Sequence, residues 1–260
     1  SKMKPFILAS LSILSIGTLA FYNQKSQLIN ALRADFLNEG TGDVNDLEVY
    51  PGLEISTFAT EPMLKNPTNI EVDAQGRIWV LEAYNYRPAI NGNPTNAEGD
   101  RILILEDTDK DGKADKQTVF YQSKDLNAPL GIAVLDNVVI VSQSPYIWKM
   151  YDDNRDGKAD RKEILFQGIG GEQHDHGAHA FVFGPDGKLY FNMGNEGKQL
   201  LDAKGNPVLD QDGNAINQKN YRQGMVFRCN LDGSHVEVLG HNFRNNYEVA
   251  VDSYGGLWQS

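Results

Sequence analysis

Two stretches of the chain carry nearly the same run of oxygen-bearing side chains. One reads Asp107-Thr108-Asp109-Lys110-Asp111-Gly112-Lys113-Ala114-Asp115, the other Asp152-Asp153-Asn154-Arg155-Asp156-Gly157-Lys158-Ala159-Asp160. Carboxylates or amides at alternate positions, then a glycine for the sharp turn, suit a hard cation, because Ca²⁺ takes about six to eight oxygens. The second copy continues to Glu163 and so completes the D-x-[DN]-x-[DN]-G-x₅-E pattern; the first has Thr118 at that place. Expected ligands are therefore Asp152, Asn154, Asp156, Asp160 and Glu163 in a stronger loop, and Asp107, Asp109, Asp111 and Asp115 in a weaker one. No helical pattern flanks either loop, so the expected role is a structural ion in a hairpin. The plainer alternative is that Asp and Gly simply make solvated turns.

A second cluster is His174-Asp175-His176-Gly177-Ala178-His179, which gathers three of the five histidines behind a glycine-rich stretch at 168–171. An imidazole, with an unperturbed pKa of about 6.5, suits proton abstraction near neutral pH, and His176 is the candidate base. The cluster would also suit a transition metal or an axial haem position. A third run, Gly240-His241-Asn242-Phe243-Arg244-Asn245-Asn246, offers a guanidinium and amides that could clamp an anion. It reads equally well as a polar turn.

The elements that must position these groups show in four related phrases: NPTNIEVDAQGRIWVLEA (66–83), APLGIAVLDNVVIVSQS (128–144), GAHAFVFGPDGKLYFNMG (177–194) and NNYEVAVDSYGGLWQS (245–260). Each is an apolar run, a turn and a second apolar run, which is a hairpin signal. Aligned on Asp73, Asp136, Asp186 and Asp252, they recur at steps of 63, 50 and 66 residues. Further strands are expected at 53–58, 77–83, 101–106, 118–121, 138–142, 147–151, 163–166, 189–192, 225–230 and 236–239. Three to four strands per repeat, with no helix of useful length, predict an all-β chain: a β-propeller of four-stranded blades, about four of them. The phrases read as the N-terminal portion of a longer propeller. Long connections at 85–99 and 195–222 are candidate functional loops.

Composition narrows the choices. A net charge of −11 offers no basic stripe to neutralise phosphates and argues against a nucleic-acid partner. The lone Cys229, in a strand-like MVFRCNL setting, excludes an internal disulfide and a CxxCH haem site and reads as a buried thiol. Lys2 and Lys4 before the apolar run 6–20, with Thr18-Leu19-Ala20 behind it, have the anatomy of a secretory signal peptide, or else an N-terminal membrane anchor. The expected organisation is a leader over 1–22, a helical spacer over 23–45 with Leu28, Leu32 and Phe36 on one face, and the propeller over 46–260. The expected location is the periplasm or cell envelope.

Asp175-His176, followed by Gly184-Pro185-Asp186-Gly187-Lys188-Leu189-Tyr190 and Gly194, resembles the glucose/sorbosone dehydrogenase-like β-propellers. The 240–246 run resembles that family's G-x-R-N-P segment, though it is two residues longer and has Asn246 in place of the proline. Phe58-Ala59-Thr60-Glu61-Pro62 with Asn66-Pro67, and the D-x-D-x-D-G hairpins, are similar to its membrane-bound dehydrogenase branch. The resemblance implies an exported oxidoreductase acting on a sugar or other alcohol, with Ca²⁺ and pyrroloquinoline quinone. It implies His176, with Asp175, as the catalytic pair and Arg244 with Asn245 on the quinone. It further implies a cytochrome c electron acceptor, with haem c on a downstream domain. Two other readings stay open: a non-catalytic, calcium-stabilised binding propeller, and a lactonase-type hydrolase.

Overall fold

The computed structural model describes residues 47–92, 95–170 and 174–260. The expected leader and spacer lie outside them. The chain divides into two compact units, the first ending at Thr57 and the second spanning Phe58–Ser260. The described part of the first unit holds a turn closed by Leu53 N–H on Tyr50 O (3.0 Å) and no strand. The strand expected at 53–58 is therefore corrected. Its apolar alternation is present, but a strand exists only by a ladder of pairing, and the segment's backbone bond to distant described chain is Ala114 N–H on Phe58 O (2.8 Å), which makes no ladder.

The second unit is a succession of antiparallel meanders. Strands β1 (Pro67–Val72), β2 (Ile78–Glu82), β3 (Arg101–Glu106) and β4 (Lys116–Gln122) form the first sheet in chain order. β5 (Gly131–Leu135), β6 (Val138–Gln143), β7 (Tyr146–Tyr151) and β8 (Arg161–Phe166) form the second. β9 (Ala178–Phe183), β10 (Leu189–Met193), β11 (Gly224–Cys229) and β12 (Glu237–Phe243) form the third, and β13 (Val249–Val251) with β14 (Leu257–Gln259) a two-stranded fourth. The described helical pieces are one turn at Pro88–Asn91 and a 3-10 turn at His174–His176. None is long or apolar enough to cross a membrane.

First strands pack on first strands, β1 on β5, β5 on β9 and β9 on β13. The Tyr247 hydroxyl, just before β13, donates to Thr68 O on β1 (3.2 Å), which brings the fourth sheet back to the first. The four sheets thus stand around a common axis as blades, and the fold is a β-propeller.

Period-two alternation explains why blades stack. On β6, Val139 and Val141 join Trp79, Leu81, Ile102 and Ile104 of the first sheet, whereas Ile140 joins Phe191, Met225 and Phe227 of the third. Central strands buried on both sides read as continuous apolar runs. Each such side chain contributes ~1.5–3 kcal/mol by leaving water.

The hairpins reuse one turn. In it an N–H and C=O at one residue bond four residues on and three residues on, with a glycine at positive φ in the third place: Asp73 with Gly76, Gly184 with Gly187, Asp252 with Gly255. The alignment on four aspartates therefore needs correction at two places. In the third blade Gly184 takes the Asp73 position and Asp186 sits two residues later, still accepting from Lys188 N and the Tyr190 hydroxyl. Asp136 lies in a tighter turn at φ 55° and pairs with Arg155.

Strand direction sorts the connections between two faces. Each first strand begins on the face where its second strand ends. That face carries 83–92, 95–100, 144–145 and 194–223 together with the entries at His174–His176 and 244–246. Third strands run away from it, so both acidic loops, 107–115 and 152–160, lie on the opposite face.

Candidate functional site

His176 closes the 3-10 turn that enters β9. Its carbonyl accepts from Glu196 N–H (3.2 Å), and Gly194 N–H donates to Gly177 O (2.8 Å), so the turn is tied to the end of β10. Gly194 makes this approach possible. A Cβ there would lie 2.7 Å from His176 O and 2.3 Å from Asn245 Oδ1, so only glycine lets the third-blade turn and the fourth-blade entry meet.

Asn195 is the node of the site, and sequence reading treated it only as the start of a loop. Its Oδ1 lies 2.7 Å from His176 Nδ1, its N–H donates to Arg244 O (2.7 Å), and its carbonyl accepts from Gln218 Nε2 (2.7 Å). A carboxamide oxygen only accepts, so the His176 ring proton sits on Nδ1 and the Nε2 lone pair is left free. The His176 side chain is 14% exposed. Asp175 Oδ2 lies 3.9 Å from Nε2. Its Oδ1, buried without a hydrogen bond, faces Arg87 of the first blade at 3.8 Å.

Arg244 is exposed and lines an open recess of about 400 Å³ with Asn195, Gln218, Arg222 and Gln223. Arg222 was not anticipated. Its carbonyl accepts from Asn242 N–H (2.7 Å), which fixes the two arginine-bearing segments together. Among the described residues neither guanidinium is in an ion pair, although the chain as a whole carries −11. Two free planar forks beside amide groups have the donor chemistry that suits an anion. Asn245 is placed differently from expectation: its Oδ1 is buried on Gly194 without a hydrogen-bond partner and shapes the turn.

The histidines do not act as one ligand set. His179 is fully buried, with Nδ1 2.7 Å from Asn246 O and Nε2 2.6 Å from Asp175 O, so neither nitrogen is open to a metal. The His174 side chain lies outside the described residues. Cys229 is buried as expected, and burial pushes its thiol up to about 12.

In the acidic loops, Asp107, Asp109 and Asp115 bring one oxygen each within 4.8 Å of one another. Asp111 accepts from Lys113 N–H at the loop's tip. The second loop carries Asn154 where the first has Asp109, so it has no equivalent trio of carboxylates. Asp152 caps the Asp156 and Gly157 N–H groups, and Asp160 accepts from Asp153 N, Asn154 N and Asn154 Nδ2. Glu163 belongs to β8, where its carboxylate meets the Tyr151 hydroxyl, Lys149 and Arg161. Strand geometry, which sends alternate side chains to alternate faces, takes it out of the expected ligand set.

Residues 41–260 match the model of a family described as "Domain of unknown function (DUF7133)". Over 108 aligned residues the chain is 32% identical to quinoprotein glucose dehydrogenase B of Acinetobacter calcoaceticus, covering 33% of this chain and 21% of that protein. In fold it is similar to the pyranose dehydrogenase PQQ domain of Coprinopsis cinerea, with a TM-score of 0.50, 18% identity, and coverage of 75% of this chain and 43% of that one. It is also similar to a Trichoderma reesei enzyme of carbohydrate-active family AA12, with a TM-score of 0.53, 15% identity, and coverage of 81% and 48%. The chain spans less than half the length of these proteins.

Proposed function

The chain belongs to the DUF7133 family, and from that premise we propose that its His176 face oxidises a sugar or other alcohol with the help of a bound quinone. The observation that carries this reading is one linked unit: the His176–Asn195 hydrogen bond, with Asn195 N–H on Arg244 O, beside a recess lined by two free guanidiniums. His176 Nε2 takes the proton of the substrate hydroxyl. Asn195 holds the tautomer that leaves Nε2 basic, and Asp175 offsets the positive charge then formed on the ring.

Pyrroloquinoline quinone fits the donor set, being a planar polycarboxylate facing two planar cations and amides; when bound it supplies the hydride acceptor. Arg244 and Arg222 would hold its anionic edge, and their charge stabilises negative charge developing in the recess. The names of the A. calcoaceticus and C. cinerea proteins, a quinoprotein glucose dehydrogenase and a pyranose dehydrogenase PQQ domain, point the same way. Calcium belongs to this reading as a structural ion at Asp107, Asp109 and Asp115, on the opposite face. Export through the 1–22 leader and electron transfer to a cytochrome c, with haem c on a downstream domain, complete it; these rest on the sequence alone. A metal-dependent lactonase would need a ligand trio on the His176 face, and among the described residues the gathered trio is on the other one.

The test is titration of full-length protein with pyrroloquinoline quinone in calcium buffer, followed by dye-linked assay on a panel of aldoses and alcohols. A saturable change in the quinone spectrum with substrate-dependent dye reduction is expected. Lactone hydrolysis independent of quinone, with no spectral change, would overturn the reading in favour of the hydrolase.

A further inference from the structure

His179 faces a carbonyl at each ring nitrogen: Asn246 O at 2.7 Å from Nδ1 and Asp175 O at 2.6 Å from Nε2. Carbonyl oxygens only accept, so each contact calls for a ring N–H, and a neutral imidazole has one. The ring is fully buried and stacks on Tyr247, with centroids 4.8 Å apart and planes 25° from parallel, so it cannot swing away to relieve the mismatch. Its two partners are not arbitrary. Asp175 is the residue before His176, and Asn246 is two residues after Arg244. We propose that His179 is a positioning residue whose doubly protonated ring ties the His176 turn to the Arg244 turn, and whose neutral ring releases one of them.

The surroundings divide over the charge. Burial, first, and then the nearby His176 push the His179 pKa below its ordinary value; the two carbonyls and the Asp175 carboxylate work in the opposite direction. From the 3-10 turn the charged or titratable groups are Asp175 and His176, with Arg87 of the first blade facing Asp175. From the entry to β13 they are the Tyr247 phenol, held on Thr68 O, and Glu248 beside it. Asp175, whose Oδ1 makes no hydrogen bond and faces Arg87 at 3.8 Å, is the anion nearest in sequence that favours a cationic ring. As the pH falls the ring gains its second N–H and both turns are held. As it rises, one bond lapses and the spacing of His176 and Arg244 relaxes.

The inference rests on the proposed function only for the roles given to His176 and Arg244, and its test needs neither quinone nor substrate. Uniformly ¹⁵N-labelled full-length protein is followed by ring-nitrogen NMR between about pH 8 and pH 5, the range in which histidines titrate; with five histidines the assignment is tractable. The expected result is one His179 ring N–H at the upper end and two at the lower. The same inflection should appear in the Arg244 Nε signal, which has no titration of its own in this range, and should vanish from it in His179→Gln and His179→Phe. A single N–H throughout the folded range, or an inflection at Arg244 that persists in the variants, would overturn it. Should His179→Phe fail to fold, His179→Gln, which keeps one donor, and the wild-type ring signals decide the matter.

Discussion

His176 Nδ1 and Asn195 Oδ1 lie 2.7 Å apart, and the same asparagine's N–H is bonded to the Arg244 carbonyl. One residue therefore sets both the tautomer of the base and the position of the arginine segment. Its two jobs are separable, because only the first uses the side chain. Asn195→Leu should keep the backbone bond and lose the tautomer control, costing about 1–3 kcal/mol, or a factor of about 5 to 150 in rate. His176→Gln should cost about 10²–10⁴-fold while leaving quinone affinity nearly unchanged. The check is dye-linked turnover beside a quinone titration of each variant. Unchanged turnover in His176→Gln would end its assignment as the base.

The two arginines should act on binding rather than on proton transfer. Arg244→Ala and Arg222→Ala are each expected to weaken quinone affinity about 10- to 150-fold, the worth of a charge-assisted hydrogen bond. Lysine should restore only part of it, since a point charge does not reproduce the planar fork. Calorimetry at two salt concentrations checks this. Affinity should fall as salt rises, because the recess is open and screened.

Much of the scaffold was legible in the chain and much of the site was not, for a physical reason. Segment 101–106 was expected as a strand and is one to the residue, because burial on both faces leaves an unbroken apolar run bounded by turn residues. The Asp73-to-Gly76 turn is local chemistry and reads locally. By contrast, 53–58 has a strand's composition and no ladder, only Ala114 N–H on Phe58 O, and composition carries no information about partners. Glu163 fits a loop pattern by spacing, yet the strand it lies on turns it to Tyr151 and Lys149. Asn195, Arg222 and His179 matter through contacts with distant chain, such as His179 with Asn246 across the third and fourth blades. One signal was available for Asn195: it follows a second strand whose end shares a face with the His176 turn.

The acidic loops give a prediction opposite in ranking to the sequence pattern. Asp107, Asp109 and Asp115 bring three carboxylates together, whereas Asn154 stands where Asp109 does and leaves the second loop one carboxylate fewer; both loops hold their first and ninth aspartates on backbone N–H groups. Calcium should raise the melting temperature, and Asp109→Asn should remove more of that rise than Asp156→Asn. Thermal melts in calcium and in chelator provide the measurement. Equal melts in both would dismiss calcium, and a larger effect from Asp156→Asn would restore the second loop. Turnover should change little in either variant, since both loops lie on the face away from His176.

The last prediction concerns Cys229, packed at the end of β11 with Leu189, Phe227 and Val236. Burial, with a smaller push from Asp232, raises its thiol from 9.0 to about 12. Native protein at pH 8 should then hold about one thiol in ten thousand as thiolate and resist alkylation, whereas unfolded chain reacts readily. The sign for stability follows from proton binding. Between the unfolded and folded values the native state holds the proton and the unfolded state has lost it, so stability declines as the pH climbs from about 9 towards 12. Cys229→Val keeps the volume apolar and removes the titration, so its alkaline decline should be shallower than wild type. Denaturant melts at pH 7, 9 and 10 would show the two curves separating only at the higher values; rapid alkylation of the folded protein at pH 8 would refute the buried, inert thiol.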